Sequence, residues 1–383
     1  MDASQSKLPA FTELSEVASI GSNGSILFAT DDWFAPAEWM LKDTEPVFLP
    51  DAYTPFGKWM DGWETRRKRT PGHDWCLVEL GAPTQVAGFM IDTAFFTGNY
   101  VPRISIQGGT LDGTIKRMLQ SSIARDGDEN MGTGRTTEEL GMVELIGTDQ
   151  WDVLLPRTEL KPGYEQTRRH YFIVPRGKQS LVVNHLRVNM FPDGGIARLR
   201  AYGTVVRLNL NDSLAARKPI DMIAMLNGGR CTGFSNAHYG HPRNLIKPSK
   251  PTNMGDGWET ARRLDRPPVL QVDGAGILQV PGSEWASFQL GVPDGCWIVC
   301  VCIDTIHFKG NFPDNVRVEY ATKDERDVWI SLLERRKLGP NQTHEFGAAD
   351  LLPQEKAASL VRITIAPDGG LSRVRVFGTI TKP

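Results

Sequence analysis

The 383-residue sequence has no long hydrophobic run. Its strongest apolar stretch, Trp297–Ile303, falls far short of the roughly 20 residues that a membrane-spanning helix needs, so no membrane partner is expected. An excess of charge of one sign is also missing. The 43 Lys and Arg stand against 45 Asp and Glu, a net charge of −2, which argues against a polycationic nucleic-acid binder. Cysteine is scarce. Cys76, Cys231, Cys296, Cys300 and Cys302 contain no Cys-x-x-Cys pair, which points to a reducing compartment, the cytoplasm. Cys300 and Cys302 are two apart, so they share one face of a strand and are expected to be core thiols. The opening Met1–Ala10 is polar and lacks the apolar core of a signal peptide. No Gly-rich phosphate loop follows a strand, and no Gly-x-Ser-x-Gly elbow occurs. Amphipathic helices are almost absent, Ala35–Lys42 being one short candidate.

What is abundant is turn residues and repetition. The 38 Gly and 25 Pro require many turns and short elements. The length favours two domains, and the chain repeats itself. Asp61-Gly62-Trp63-Glu64-Thr65-Arg66-Arg67 recurs as Asp256-Gly257-Trp258-Glu259-Thr260-Ala261-Arg262-Arg263, beginning 195 residues later. Phe28 and Pro36 match Phe234 and Pro242 at an offset of 206. Ile91-Asp92-Thr93-x-x-Phe96-x-Gly98-Asn99 matches Ile303-Asp304-Thr305-x-x-Phe308-x-Gly310-Asn311. His170-x-Phe172 matches His344-x-Phe346, and Pro192-Asp193-Gly194-Gly195 matches Pro367-Asp368-Gly369-Gly370. Blocks repeated in the same order mark a duplicated domain: residues 1–205 and 220–383, joined by a polar linker, 206–219. The first copy carries about 37 extra residues, placed in Gly108–Asp149, whose run Arg125–Asn130 is expected as a solvated loop. The surplus of the second copy is placed in Pro267–Gly282.

Period-two alternation predicts antiparallel strands at Ile104–Ile106, Arg198–Tyr202, Val316–Tyr320, Leu360–Ile365 and Val374–Phe377. The expected fold is therefore all-β, a tandem duplication of a jelly-roll β-sandwich.

The densest chemistry lies in Asp-Gly-Trp-Glu-Thr-x-Arg-Arg. Glu64 or Glu259 becomes a general acid if burial raises its pKa, and Arg66, Arg67, Arg262 and Arg263 can clamp a carboxylate. The competing reading is an ion-paired turn that rivets the sandwich beneath the Trp. Asp31, Asp32 and His73 could bind a divalent metal with Glu64, although no close ligand spacing supports this; otherwise Asp31 and Asp32 form a turn or cap. In the second copy Asn236-Ala237-His238 replaces Thr30-Asp31-Asp32. The equivalent positions of His170 and His344 argue for a structural hydrogen bond.

These residues carry a resemblance. Phe11-Thr12-Glu13-Leu14-Ser15-Glu16-Val17-Ala18-Ser19 resembles the opening of the allantoicase (allantoate amidinohydrolase) family. So do Leu27-Phe28-Ala29-Thr30-Asp31-Asp32-Trp33-Phe34-Ala35-Pro36-Ala37-Glu38, Lys58-Trp59-Met60 leading into the Asp61–Arg67 block, and Gly72-His73-Asp74-Trp75. The resemblance spans about Phe11 to Thr381. It implies two jelly-roll modules of the galactose-binding-like type and conversion of allantoate and water to ureidoglycolate and urea in purine breakdown. It also implies a homo-oligomer.

Release of urea breaks a carbon–nitrogen bond at an sp³ carbon, so no oxyanion hole is required. The reaction needs a cation for the carboxylate, an acid for the leaving nitrogen and a base for water. The first copy offers Glu64 as acid, His73 or Asp32 as base, and Arg66 and Arg67 for binding. Asp61, Trp63, Glu259, Arg262 and Arg263 complete the expected substrate-binding set. No cofactor is required by this route, though a divalent metal such as Mn²⁺ is an alternative. A non-enzymatic member that simply binds a small molecule or a partner is the other class of function.

Overall fold

The computed structural model describes residues 8–206, 218–292 and 294–382; most of the expected linker, 206–219, lies outside the described residues. The chain forms two compact units, Met1–Val206 and Arg207–Pro383. Each is a β-sandwich of antiparallel strands, so the all-β duplicated jelly roll expected from the alternation is what forms.

The unit of construction is clearest in the second module. One sheet runs Ile220–Asp221, Arg373–Thr379, Trp297–Asp304, Thr343–Phe346. The other runs Arg230–Phe234, Glu284–Gln289, Leu360–Ala366, Asn315–Ala321, Ile330–Lys337. The first module has the same neighbours, but the strands equivalent to Glu284–Gln289 and Trp297–Asp304 are fused into one, Asp74–Asp92. Its first half pairs with Ser25–Ala29 and Val182–Phe191, and its second half with Arg198–Val205 and Arg169–Ile173. One long strand thus serves both layers, an inner strand paired on both sides in each.

Alternation sets the core. Phe89, Ile91, Val188, Met190 and Leu199 are fully buried in the first module, as are Val301, Ile303, Val316, Val318, Ile363 and Val374 in the second. Each such side chain stabilises its sandwich by roughly 1.5–3 kcal/mol. All five predicted strands form. Ala35–Lys42 yields only a short 3-10 turn, Ala37–Leu41. Cys300 and Cys302 do share a face, their sulfurs 3.9 Å apart, but that face is half-buried rather than core.

The extra segment of the first copy holds more than the expected loop, although Asp126–Glu129 within it are exposed as that reading has it. It holds two helices, Gly113–Ser122, capped by Asp112, and Thr137–Glu144, capped by Thr136 and Glu139 in a reciprocal box. Leu119, Ile123 and Val143 are buried against Phe28, Trp75 and Leu77. Short polar runs conceal this, because each helix offers few apolar residues and the sandwich supplies the rest of the cluster. The surplus of the second copy carries a small hairpin, Gln271–Val272 with Leu278–Gln279.

One expected alignment needs correcting. Trp63 Nε1 donates to the Asp31 carbonyl at 2.9 Å, and Trp258 Nε1 to that of Asn236 at 2.8 Å. Ala35 bridges Glu64 as Gly240 bridges Glu259. The true offset here is therefore 205, so Asn236 stands for Asp31 and Ala237 for Asp32. Two Phe-to-Pro spacings of equal length made the one-residue slip invisible in sequence.

Candidate active site

Glu64 lies on a two-residue strand, Trp63–Glu64, that pairs with Gly195–Ile196 on one side and with Ala35 on the other. Trp63 is fully buried beneath it and pins the strand to the Asp31 carbonyl. The Pro192–Gly195 turn must approach closely. Gly194 sits at φ +136°, and a Cβ there would lie 2.8 Å from the Tyr100 carbonyl oxygen, so only glycine fits.

This arrangement opens a cleft of about 900 Å³ lined by Trp33, Phe34, Glu64, Thr65, Arg66, Arg67, Lys68, Arg69, Asn99, Tyr100 and Asp193, among others. A side chamber of about 290 Å³ continues from it between Phe34, Phe48, Lys58, Met60 and Phe95. Glu64 and Asn99 line both spaces. Together they have the size and mixed lining of a small-molecule site.

Glu64 is 9 % exposed, and Asn99 Nδ2 donates to its Oε1 at 2.6 Å. Burial pushes its carboxyl up to about 7, although the Asn99 bond favours the charged form. Arg66 stacks on Trp33, 4.4 Å from its centroid, and binds Asp31 through Nε and a terminal nitrogen, each at 2.7 Å. Asp31 also accepts the Arg66 backbone N–H at 3.0 Å. Arg67 and Arg69 are exposed in the cleft and have no ion-pair partner among the described residues. The Lys68 backbone N–H donates to Asp193 at 2.8 Å, and its ammonium pairs with Asp74 at 2.7 Å. A carboxyl poised near neutrality thus faces a cationic wall.

Of the residues singled out in sequence, Glu64, Arg66 and Arg67 meet in this cleft. Asp61 does not; it is buried in an ion triad with Arg198 at 2.6 Å and Lys42 at 2.9 Å. Burial opposes its charge, but those two cations hold it below the usual carboxylate range. Asp256, Arg373 and Lys247 repeat the triad. For Asp61 and Trp63, then, the riveted-turn reading describes the geometry. Asp32 is equally remote, 1 % exposed and clamped by Arg125 at 2.9 and 3.0 Å. Arg125 comes from the extra segment and also binds Glu38 at 2.7 Å. His73 turns toward Asn189, at 3.1 Å, and packs on Phe191. Burial lowers its pKa, with Arg187 and Lys68 adding to that effect.

The same contacts keep the candidate metal ligands apart. Asp31 and Asp32 are committed to different arginines and His73 to an amide, and no group of three His, Cys, Asp or Glu side chains among the described residues could hold an ion. His170 and His344 make matching bonds, each accepting a loop N–H, at 2.9 and 2.8 Å, with the other ring nitrogen near a strand carbonyl.

In the second module Glu259 and Arg262 line an equivalent cleft of about 580 Å³, with Asn311 bonded to Glu259 at 2.5 Å. Arg263 stands instead for Lys68 and is held by Asp265 and Glu284. Sequence reasoning missed Asn99 and Asp193 as cleft residues. Both sit in repeated blocks, Gly-Asn and Pro-Asp-Gly-Gly, so the repetition itself was the signal.

Fold and cleft together define a duplicated jelly-roll protein with a buried carboxyl facing arginines, a site for a small polar anion. The allantoicase-repeat family model matches residues 15–206 and 220–381, and the chain belongs to that family. It is 38 % identical over 390 residues to a probable allantoicase of Acinetobacter baumannii strain AYE, covering 98 % of both chains. The crystal structure of the Saccharomyces cerevisiae allantoicase is similar with a TM-score of 0.70 at 31 % identity, covering 96 % of this chain and 94 % of that one. A second allantoicase structure gives 0.69 at 30 %, covering 96 % and 93 %.

Proposed function

We propose that this chain is a hydrolase of allantoate catabolism that cleaves a carbon–nitrogen bond of allantoate, yielding ureidoglycolate and urea, in the cleft of its first module. The observation that carries the reading is Glu64: buried, raised to about 7, and lining the same cleft as Arg66, Arg67 and Arg69. The allantoate carboxylate binds Arg67 and Arg69, which have no competing carboxylate partner among the described residues. A ureido group reaches Glu64, where the two spaces meet.

Protonated Glu64 gives its proton to the departing urea nitrogen while the other ureido nitrogen donates its lone pair to form an iminium ion. The carbon–nitrogen bond breaks and urea leaves. The resulting Glu64 carboxylate then takes a proton from water as its oxygen adds to the iminium carbon, which gives ureidoglycolate and restores the acid. One carboxyl near neutrality suffices for both steps. His73 and Asp32 have no part in this route, and Asp193 faces the cation that forms. A cytoplasmic location and a homo-oligomeric state belong to the same proposal, carried by the family resemblance.

The test is urea release from allantoate by the full-length chain, with and without Mn²⁺. Binding of allantoate without release would favour a purely ligand-binding role.

A further inference from the structure

The second cleft has kept one half of the first and altered the other. Glu259 and Asn311 repeat the Glu64–Asn99 couple, with the amide nitrogen of Asn311 2.5 Å from Glu259 Oε1. Thr260 repeats Thr65, and Tyr239 and Phe312 replace Phe34 and Tyr100 with aromatic rings in both cases. The anion-binding half has lost one of its two unpaired cations, since Arg262 keeps the place of Arg67 but Leu264 stands for Arg69, and the Arg66–Asp31 pair beside it has also gone. Ala261 stands for Arg66 and Asn236 for Asp31, so both charges of that pair are gone. The backbone bond survives: Ala261 N–H donates to Asn236 Oδ1 at 2.8 Å, as Arg66 N–H does to Asp31.

A carboxylate has also been added, because Asp314 occupies the place of Pro102. In the first cleft Arg66 is bound to Asp31 and Lys68 to Asp74, which leaves Arg67 and Arg69 without an ion-pair partner among the described residues. In the second, Arg262, Arg266 and Lys337 face Glu259, Asp314 and Asp368. Arg266 is bound to Asp368 at 2.5 Å and Lys337 to Asp314, which leaves Arg262 alone without an ion-pair partner among the described residues. With one unpaired arginine in place of two, an anion gains less there than in the first cleft.

We propose that the second module's cleft is a non-catalytic binding site for small neutral ureides. Glu259 Oε2 and Asn311 Oδ1 accept the paired N–H groups of a ureido unit, Arg262 donates to its carbonyl oxygen, and Tyr239 covers one face. The inference rests on the proposed function in one respect: the Glu–Asn couple is taken to be the ureido-binding element in both clefts. It assigns a second ligand, of different charge, to a second place on the chain.

Isothermal titration of the full-length chain with allantoin, a neutral ureide, tests it. The expected result is millimolar or tighter binding that persists in Glu64→Gln. Asn311→Ala and Tyr239→Ala should each weaken it at least tenfold, about 1.4 kcal/mol. Tyr239 is 71 % exposed, so its removal leaves the fold intact if Asn311→Ala does not; unfolding midpoints check both. Absence of saturable binding up to about 10 mM, loss of binding in Glu64→Gln, or binding unchanged in both second-cleft variants would overturn the proposal. Substantial allantoate turnover surviving in Glu64→Gln, but lost when Asn311→Ala is added, would overturn its non-catalytic part. A wild-type chain that binds allantoin through Asn311 yet releases no urea would count against the proposed function alone.

Discussion

Replacing Glu64 by Gln separates chemistry from stability in opposite directions. Gln keeps an oxygen for the Asn99 amide, which now donates to the Glu64 carboxylate at 2.6 Å, but it has no proton to give. Loss of a general acid costs roughly 10²–10⁴-fold in kcat. The pH dependence follows from burial. Wild-type kcat should be flat below neutrality and fall as pH rises through about 7, where Glu64 loses its proton. In Glu64→Gln that limb should vanish along with most of the rate.

Stability moves the other way. The folded chain binds the Glu64 proton more tightly than the unfolded chain, whose carboxyl titrates near 4.5. Native protein therefore holds more protons between about pH 4.5 and 7, and the stability this group contributes is full below that window and lost on rising through it. Moving the pKa from 4.5 to about 7 corresponds to about 3 kcal/mol. Denaturant unfolding at pH 8 should find Glu64→Gln more stable than wild type by up to about 3 kcal/mol, and the difference should shrink toward pH 4.5. A variant with turnover within about tenfold of wild type, or a wild-type rate that climbs through neutrality, refutes the acid role. A variant less stable than wild type at pH 8 refutes the burial argument.

Further outcomes follow from the same geometry. Asn99→Ala removes the bond that favours the Glu64 carboxylate, so the alkaline limb of the kcat profile should move to higher pH. Arg67→Ala should raise KM for allantoate roughly 10–100-fold with kcat nearly unchanged, since a charged hydrogen bond is worth about 1.5–3 kcal/mol. Asp32→Asn strips buried Arg125 of its bidentate partner; urea unfolding should show a loss of about 3 kcal/mol, while kcat of the folded fraction stays within about twofold. Dialysis against a chelator should leave turnover unchanged, because Asp31, Asp32 and His73 are held apart by other partners; activity lost on chelation and restored by Mn²⁺ would show that account of the donors to be mistaken.

Much of this protein was legible before folding. Alternation at Val316–Tyr320, Leu360–Ile365 and Val374–Phe377 marked strands because period-two burial is a local property of the chain. The repeated blocks marked two modules and placed Glu64, Arg66 and Arg67 in one motif. What stayed hidden depends on distance through space. Asp32 reads as a base beside a tryptophan, yet Arg125, 93 positions away, closes over it. The two helices within Gly108–Asp149 show no clear apolar stripe in sequence because their apolar partners, Phe28, Trp75 and Leu77, lie on other strands.

The sequence by itself determined the all-β duplicated architecture, the family and the motif that carries Glu64. Local periodicity and repeated words are enough for those. Only the tertiary structure decided which members of the motif face the cleft. Asp61 and Trp63 turn inward as rivets, while Asn99 and Asp193 arrive from distant turns to complete the wall. The pKa of Glu64 was also settled there, because desolvation is set by everything packed around a carboxyl and by none of its neighbours in sequence alone.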